Sequence, residues 1–529
     1  MRRSILAALL LAGAAAAQEA KEEILYNGIR LPSPWPPKVG DASKDLEPPP
    51  YLQTPPAVIP IDVGRQLFVD DFLVGETTLQ RTYHRATYHE ASPVLKPDQP
   101  WEGRVAMAFS DGCWYDPKDR LFKMWYMGGK ERATCLATSE DGLNWKKPAL
   151  DVKPGTNIVQ TGHRDSSTVW LDPGEKDPKK RFKMFRSVPV VPAVKNTWIL
   201  EHYASEDGIH WSGGPALSGP SGDRSTLYWN PFRKVWVYSL RSMSDPRSRR
   251  YWERADLEKS PMWGQTGEPA MWAGSDSLDP RRPEYQVPCG LYNLDGVAYE
   301  SLVLGLFSIW RGQFPDRQKP NEVCLGYSRD GWHWTRPDRR PFCPVSDKQG
   351  DWSANNVQSV GGGCLLVGDR LYFYVSGRAG EPGSDKAGVC TTGLAVLRRD
   401  GFASMDAGET EGTLTTRPVR FSGKHLFVNL EAPKGELRVE ALNERGEVIL
   451  RSVPLQGDGT MLRVKWREGN EIAGLAGKAA RFRFRLKNGS LYSFWVSPDE
   501  SGASHGYVAA GGPGYTGPVD TVGSAALSR

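Results

Sequence analysis

Several acidic side chains stand where a charge is costly or where their placement repeats. Glu300 interrupts the apolar run GVAYESLVLGLF (296–307). A carboxylate in such a strand must be paired, protonated or turned to a polar pocket. The preferred reading is a general acid with a raised pKa, ahead of a buried structural ion pair. Asp165 in D-S-S-T and Asp223 in D-R-S-T occupy matching places in successive segments. Either both bond a neighbouring backbone N–H, or both hold negative charge beside a developing oxocarbenium ion. Arg224 could bind a substrate hydroxyl or keep an Asp ionised. Asp111, in FSDGCWYDP, is ambiguous because Asp-Gly is also ordinary turn chemistry. Trp101 and Glu102 (QPWEG) are candidates for the rim of a site, and Arg104 and Gln358 are further substrate-binding candidates.

These residues are far apart in the chain, so the elements between them must repeat. SEDGLNW (139–145), SEDGIHW (205–211) and SRDGWHW (328–334) share the form S-x-D-G-x-x-W. A degenerate copy is expected around Tyr251–Trp263, and Arg398-Arg399-Asp400-Gly401-Phe402 makes another. In phase with them run WYDPKDRLFKMWY (114–126), WLDPGEKDPKKRFKMF (170–185) and YWNPFRKVWVYSL (228–240). Each reads strand, Asp/Asn-Pro turn, aromatic strand, so Asp116, Asp172 and Asn230 are turn residues. Five such units predict an all-β chain whose core is a five-bladed β-propeller over 61–410. From 411 to 500 the alternation changes to period two, with a hairpin signal at Asn488-Gly489, as in a C-terminal β-sandwich. Residues 18–60 are Pro-rich and predict an extended arm. Residues 501–529, rich in Gly, Ser and Ala, predict a loosely ordered tail.

The 529 residues include 19 Trp, 19 Tyr and 17 Phe beside 56 Gly and 41 Pro, which favours aromatic strands and turns over long helices. A net charge of +5 offers no strong field for nucleic acid and fits neutral glycans mildly better. Residues 1–17 (MRRSILAALLLAGAAAA) read as a secretory signal cut near Ala17, too short for a membrane span. That implies a secreted or periplasmic product. The seven Cys are scattered, and the eight His form no HExxH or HxH cluster, so no metal site is expected. No nucleotide or other cofactor motif stands before a helix.

SPVLKPDQPWEG, the strand FSDGCWYDP, the FKMWY hairpin and the S-x-D-G-x-x-W repeats together resemble the five-bladed propeller glycoside hydrolases of families 32, 43, 68 and 130. Within that superfamily they most resemble uncharacterised secreted bacterial proteins of the family 32-like kind. The resemblance implies hydrolysis of poly- or oligosaccharides, with Glu300 as general acid and Asp111 as base or nucleophile. Asp165 and Asp223 would then stabilise the transition state. The family 32 signature W-M-N-D-P-N is absent, so no fructan specificity is implied. Two other readings remain: a propeller that binds carbohydrate without cleaving it, and a lyase, which would need a Tyr/His/Arg cluster in the funnel. Oligomeric state is not legible.

Overall fold

The computed structural model describes residues 23–37, 48–129, 131–190, 197–213, 218–243, 246–257, 263, 267–467, 469 and 472–527. The segment read as a secretory signal lies outside them. Among the described residues the single α-helix is Pro50–Gln53, and no helix is long and apolar enough to cross a membrane.

Five sheets repeat a meander of antiparallel strands, giving a five-bladed propeller arrangement. Blade 1 runs Ala106–Asp116, Leu121–Gly128, Ala133–Ser139 and Ile158–Gln160. Blade 2 begins at Ser167–Leu171, blade 3 at Thr226–Asn230, blade 4 at Gly290–Glu300 and blade 5 at Asn355–Ser359. The ring is closed by an earlier segment, because Thr87–Tyr88 supplies the outer strand of blade 5 beside Ala395 and Val396.

The two sequence repeats turn out to be two kinds of turn. Between the first and second strands, Asp116, Asp172 and Asn230 each accept the backbone N–H two residues on, from Lys118, Gly174 and Phe232. These are Asx-turns, which spend the short polar side chain on the backbone. After the third strand, Ser139, Ser205 and Ser328 donate to Asp141, Asp207 and Asp330, and each Asp accepts two following backbone N–H groups. The next residue must be Gly: Gly142, Gly208 and Gly331 have φ of 76°, 78° and 82°. A Cβ on Gly208 would meet Trp125 Cζ2 at 2.5 Å. Gly208→Ala is therefore expected to lower stability by roughly 1–3 kcal/mol through left-handed strain and overpacking, read as a lower Tm in a thermal melt.

The aromatic surplus lies mostly between blades. Trp114 meets Trp170 at 4.6 Å, Trp170 meets Trp236 at 5.7 Å, and Trp272 packs on Trp332 and Trp334. Asp116 supports this layer by accepting from Lys123 at 2.9 Å and from Arg181. Burial alone would raise its carboxyl, but Arg181 and Lys123 bring it down to about 2. A depressed folded-state pKa stabilises above the unfolded value of 3.8 and stops doing so as the pH falls through about 2. Wild type should lose stability between pH 4 and 2 more steeply than Asp116→Asn, measured by denaturant midpoint against pH.

A second body is a ten-stranded sheet ordered Val74–Thr77, Gly412–Thr416, Arg481–Lys487, His425–Leu442, Gly489–Ser497, Ala403–Ala407, Gln80–Tyr83, with three further strands on its flanks. Phe68, Phe482, Phe484 and Phe494 fill its own core. Gln66–Leu67, Val74–Thr77, Gln80–Tyr83 and Ala403–Ala407, inside the 61–410 expected for the propeller, pair in this sheet. Those short stretches carry the alternation of any strand and show no partner in the sequence.

Residues 501–527 also depart from the loose tail expected. Tyr507–Val508 pairs with Tyr299 and Glu300 at the edge of blade 4, and Asp520 is buried against Arg399. Glycine here permits close approach rather than freedom: a Cβ on Gly512 would lie 1.8 Å from the Leu366 carbonyl. In the Pro-rich arm, Tyr26 stacks on Phe232 and Trp35 meets Trp332, so its described parts lie on the turns of blades 3 and 4.

Candidate active site at the mouth of the propeller

The starts of the inner strands converge on one axis, and a polar plug closes it. Blade 1 has a bulge between Met107 and Gly112, with Ser110 at φ 61°. The bulge turns Ser110 inward, where its hydroxyl donates to Asp295 of blade 4 at 2.9 Å. Ser359 of blade 5 donates to the same oxygen at 2.6 Å. Arg224 of blade 3 donates to Ser110, to the Phe109 carbonyl and twice to Gln358, with its guanidinium 3.6 Å over the Phe109 ring. Four blades thus meet through one hydrogen-bonded cluster. Gln358 and Arg224 are both fully buried in it.

Above the plug stand Asp165 and Asp223. Ser166 donates to the carbonyls of Asp223 and Ser225, which pins the start of blade 2 to the start of blade 3. That explains why the D-x-S-T pattern repeats: the hydroxyls fix the strand starts, and the Asp side chains stay partly open. Their side chains are 19% and 30% exposed. Asp165 pairs with Arg132 at 3.1 Å, and Asp223 with Arg241.

The environments drive the two carboxyls apart. Burial, then the Asp223 charge, raise Asp165 above the ordinary carboxylate value, against Arg224, Arg132 and Arg378. Burial would raise Asp223 as well, but Arg241 and Arg247 hold it below that value. The two surroundings thus bias Asp165 towards its acid form and Asp223 towards its anion.

Tyr292, near the start of blade 4's inner strand, faces the same space. Lys319 Nζ donates to its hydroxyl at 3.3 Å and sits 5.2 Å from the ring, with the Arg247 guanidinium 4.7 Å away. Burial would raise this phenol, yet Lys319, with Arg247 and Arg378 behind it, holds it below its ordinary value despite Asp165. None of Tyr292, Lys319, Arg247 or Arg378 was singled out by sequence. Tyr292 was the most accessible, since GLYNLDGVAYE sets polar Asn293 and Asp295 inside an otherwise apolar strand.

The other candidates lie elsewhere. Glu300 ends its inner strand at the far end from Tyr292 and is completely buried. It accepts from Arg399 at 3.0 Å, from Ser504 at 2.7 Å and from the Arg65 backbone, with Arg65 Nε 3.4 Å away. Arg65 pairs in turn with Asp400, and Arg399 with Asp520. Glu300, the expected general acid, thus sits in a buried ion-pair network joining blade 4 to the ten-stranded sheet and the C-terminal segment. Asp111 lies inside blade 1. It is fully buried, accepts the Phe109 N–H and pairs with Arg164 at 2.7 Å, and burial pushes its carboxyl to about 6 against that arginine. Through Arg164 it braces blade 1 against the start of blade 2. Glu102 is likewise sealed, accepting from Tyr126, from Lys147 and from two backbone N–H groups. Trp101 donates to Asn157, and Arg104 is exposed and tied to Glu381 of blade 5.

A cavity of about 380 Å³ lies at the opposite end of the axis, lined by Trp114, Trp170, Trp229, Tyr507 and neighbours. Its carboxylate, Asp172, is held by Lys183 at 2.9 Å, so the space has no acid–base pair.

No family model and no curated relative matches the chain. Solved structures resemble it at low identity. An N-acetylgalactosamine deacetylase from F. plautii, bound to blood group B trisaccharide, is 13% identical with a TM-score of 0.38, covering 64% of this chain and 97% of its own. A thermostable family-43 glycoside hydrolase is 10% identical with a TM-score of 0.40, covering 58% and 95%. An exo-β-1,3-galactanase from Phanerochaete chrysosporium is 10% identical with a TM-score of 0.33, covering 78% and 99%. These likenesses do not exceed 13% identity or a TM-score of 0.40.

Proposed function

We propose that the protein is a secreted glycoside hydrolase and that Asp165 and Asp223 carry its chemistry. The observation behind this reading is the pair itself: two partly exposed carboxyls at matching strand starts, one biased towards its acid form and one towards its anion. Pairs whose surroundings separate their pKa values divide the roles of acid and base. Asp165 would pass its proton to the glycosidic oxygen as the C–O bond breaks. Asp223 would either take a proton from the attacking water or bond directly to the anomeric carbon. Arg224 and Gln358 would then floor the site. In this reading the ten-stranded sheet is an appended β-sandwich and residues 1–17 direct export. Kinship with propeller families 32 and 43 is part of the same proposal.

A second reading has one observation in its favour. Tyr292, with its phenol held low by cations, is suited to abstract a carbon-bound proton in a lyase. Product analysis separates the two. Hydrolysis adds water and yields saturated sugars, whereas elimination leaves an unsaturated ring at the new non-reducing end. Saturated products only, lost in Asp165→Asn, support hydrolysis; unsaturated products lost in Tyr292→Phe support the lyase.

A further inference from the structure

We infer that the sugar bound at this mouth carries an oxyanion, a uronate carboxylate or a sulfate ester. The inference rests on the proposed site but not on its reaction. Arg132 contacts Asp165, which is biased towards its neutral form, Arg241 pairs with Asp223, and Arg224 lies in the field of Asp295. Three further cations surround Tyr292, namely Arg247, Lys319 and Arg378, with Arg247 also in the field of Asp223 and Arg378 in that of Asp165. Among the described residues none of them pairs with a carboxylate. Lys319 bonds the neutral Tyr292 hydroxyl, and Arg378 bonds the Gln318 amide at 3.0 Å.

Arg247 adds an independent mark. Its Nη1 is buried and has no hydrogen-bond acceptor among the described residues. A buried guanidinium donor without an acceptor costs about 1–3 kcal/mol, and an oxyanion bound beside Arg247 would remove that cost. Arg249 lies directly behind, fully buried and bonded only to a hydroxyl and to carbonyls, including those of Arg224 and Tyr292. It adds positive field and no anion. The depressed Tyr292 phenol reports that same field.

The excess is invisible in the net charge of +5, because 67 basic and 62 acidic residues nearly cancel over the chain. What distinguishes the mouth is its concentration beside the candidate carboxyls, partly screened from water. Guanidinium groups favour planar, bidentate oxyanions, and a dehydrated cleft of one sign attracts ligands of the other.

The test is binding to full-length Asp165→Asn, whose turnover is expected to be blocked. Oligosaccharides matched in length are offered in three forms: uronate-bearing, carboxyl-reduced and therefore neutral, and sulfated. At least one anionic form should bind about tenfold or more tightly than the neutral form, with the advantage shrinking as salt rises. The arm that binds tells uronate from sulfate. In the Asp165→Asn/Arg247→Gln/Lys319→Gln protein the advantage should fall to within about twofold. Equal or tighter binding of the neutral sugar, an advantage untouched by the two added substitutions, or no binding in any arm would overturn the inference. An anion that binds but is never cleaved by wild type would refute the hydrolase reading and leave this one standing. Cleavage of neutral glycans in preference would do the reverse.

Discussion

Asp165→Asn should lose about 10²–10⁴-fold in turnover, the range supplied by a positioned general acid, while its melting temperature stays near that of wild type. The amide cannot deliver a proton to the leaving oxygen. The structural cost is small because the lost partner, Arg132, is 38% exposed and the ion pair is open to water. The loss should depend on the leaving group. Aryl glycosides whose phenols depart without protonation should be impaired much less than natural linkages. Asp223→Asn should be impaired on both kinds of substrate, since its role does not depend on the leaving group. The pH profile of wild type follows from the same bias. Activity should rise as Asp223 ionises below the ordinary carboxylate value of 3.8 and fall as Asp165 loses its proton above it. Steady-state kinetics against pH for the three proteins would read all of this.

Glu300→Gln should behave in the opposite way, failing in stability rather than catalysis. Removing one charge from a buried network costs about 3–5 kcal/mol, because Arg65 and Arg399 are left facing each other with less compensation. Gln cannot restore it, since the site is sealed. Gly64 and Gly506 press against Glu300, and a Cβ on Gly506 would come within 2.1 Å of its Oε2. Tyr299, Asp400 and Tyr515 complete the shell. A large drop in Tm with near-normal turnover per folded molecule at low temperature is the expected result. A variant that melts like wild type but is inactive would return Glu300 to the chemistry.

The fold was the more legible part. The S-x-D-G-x-x-W and Asp/Asn-Pro repeats are local turn chemistry, written in adjacent residues, so their period could be counted without knowing any contact. The repeated D-x-S-T starts of blades 2 and 3 were visible for the same reason, and they mark Asp165 and Asp223. Long-range partners were not legible. Glu300 carries the sequence signature of a perturbed carboxylate, and so would any acid in a closed ion pair. Only its neighbours Arg65 and Arg399, from distant segments, separate the two. Thr87–Tyr88 and Tyr507–Val508 complete blades far from them in sequence, which no local period foretells. Lys319 and Arg378 sit in ordinary loop and strand-end contexts, and their meaning comes from what they surround.

The central claim is that the Asp165–Asp223 pair cleaves glycosidic bonds. It is tested most directly by counting new reducing ends released from a panel of neutral, uronate-bearing and sulfated oligosaccharides by wild type, Asp165→Asn, Asp223→Asn and Glu300→Gln. The account predicts release by wild type and by folded Glu300→Gln, and almost none by either Asp variant. Release by the Asp variants at the wild-type rate, or none by wild type on any sugar, would contradict it.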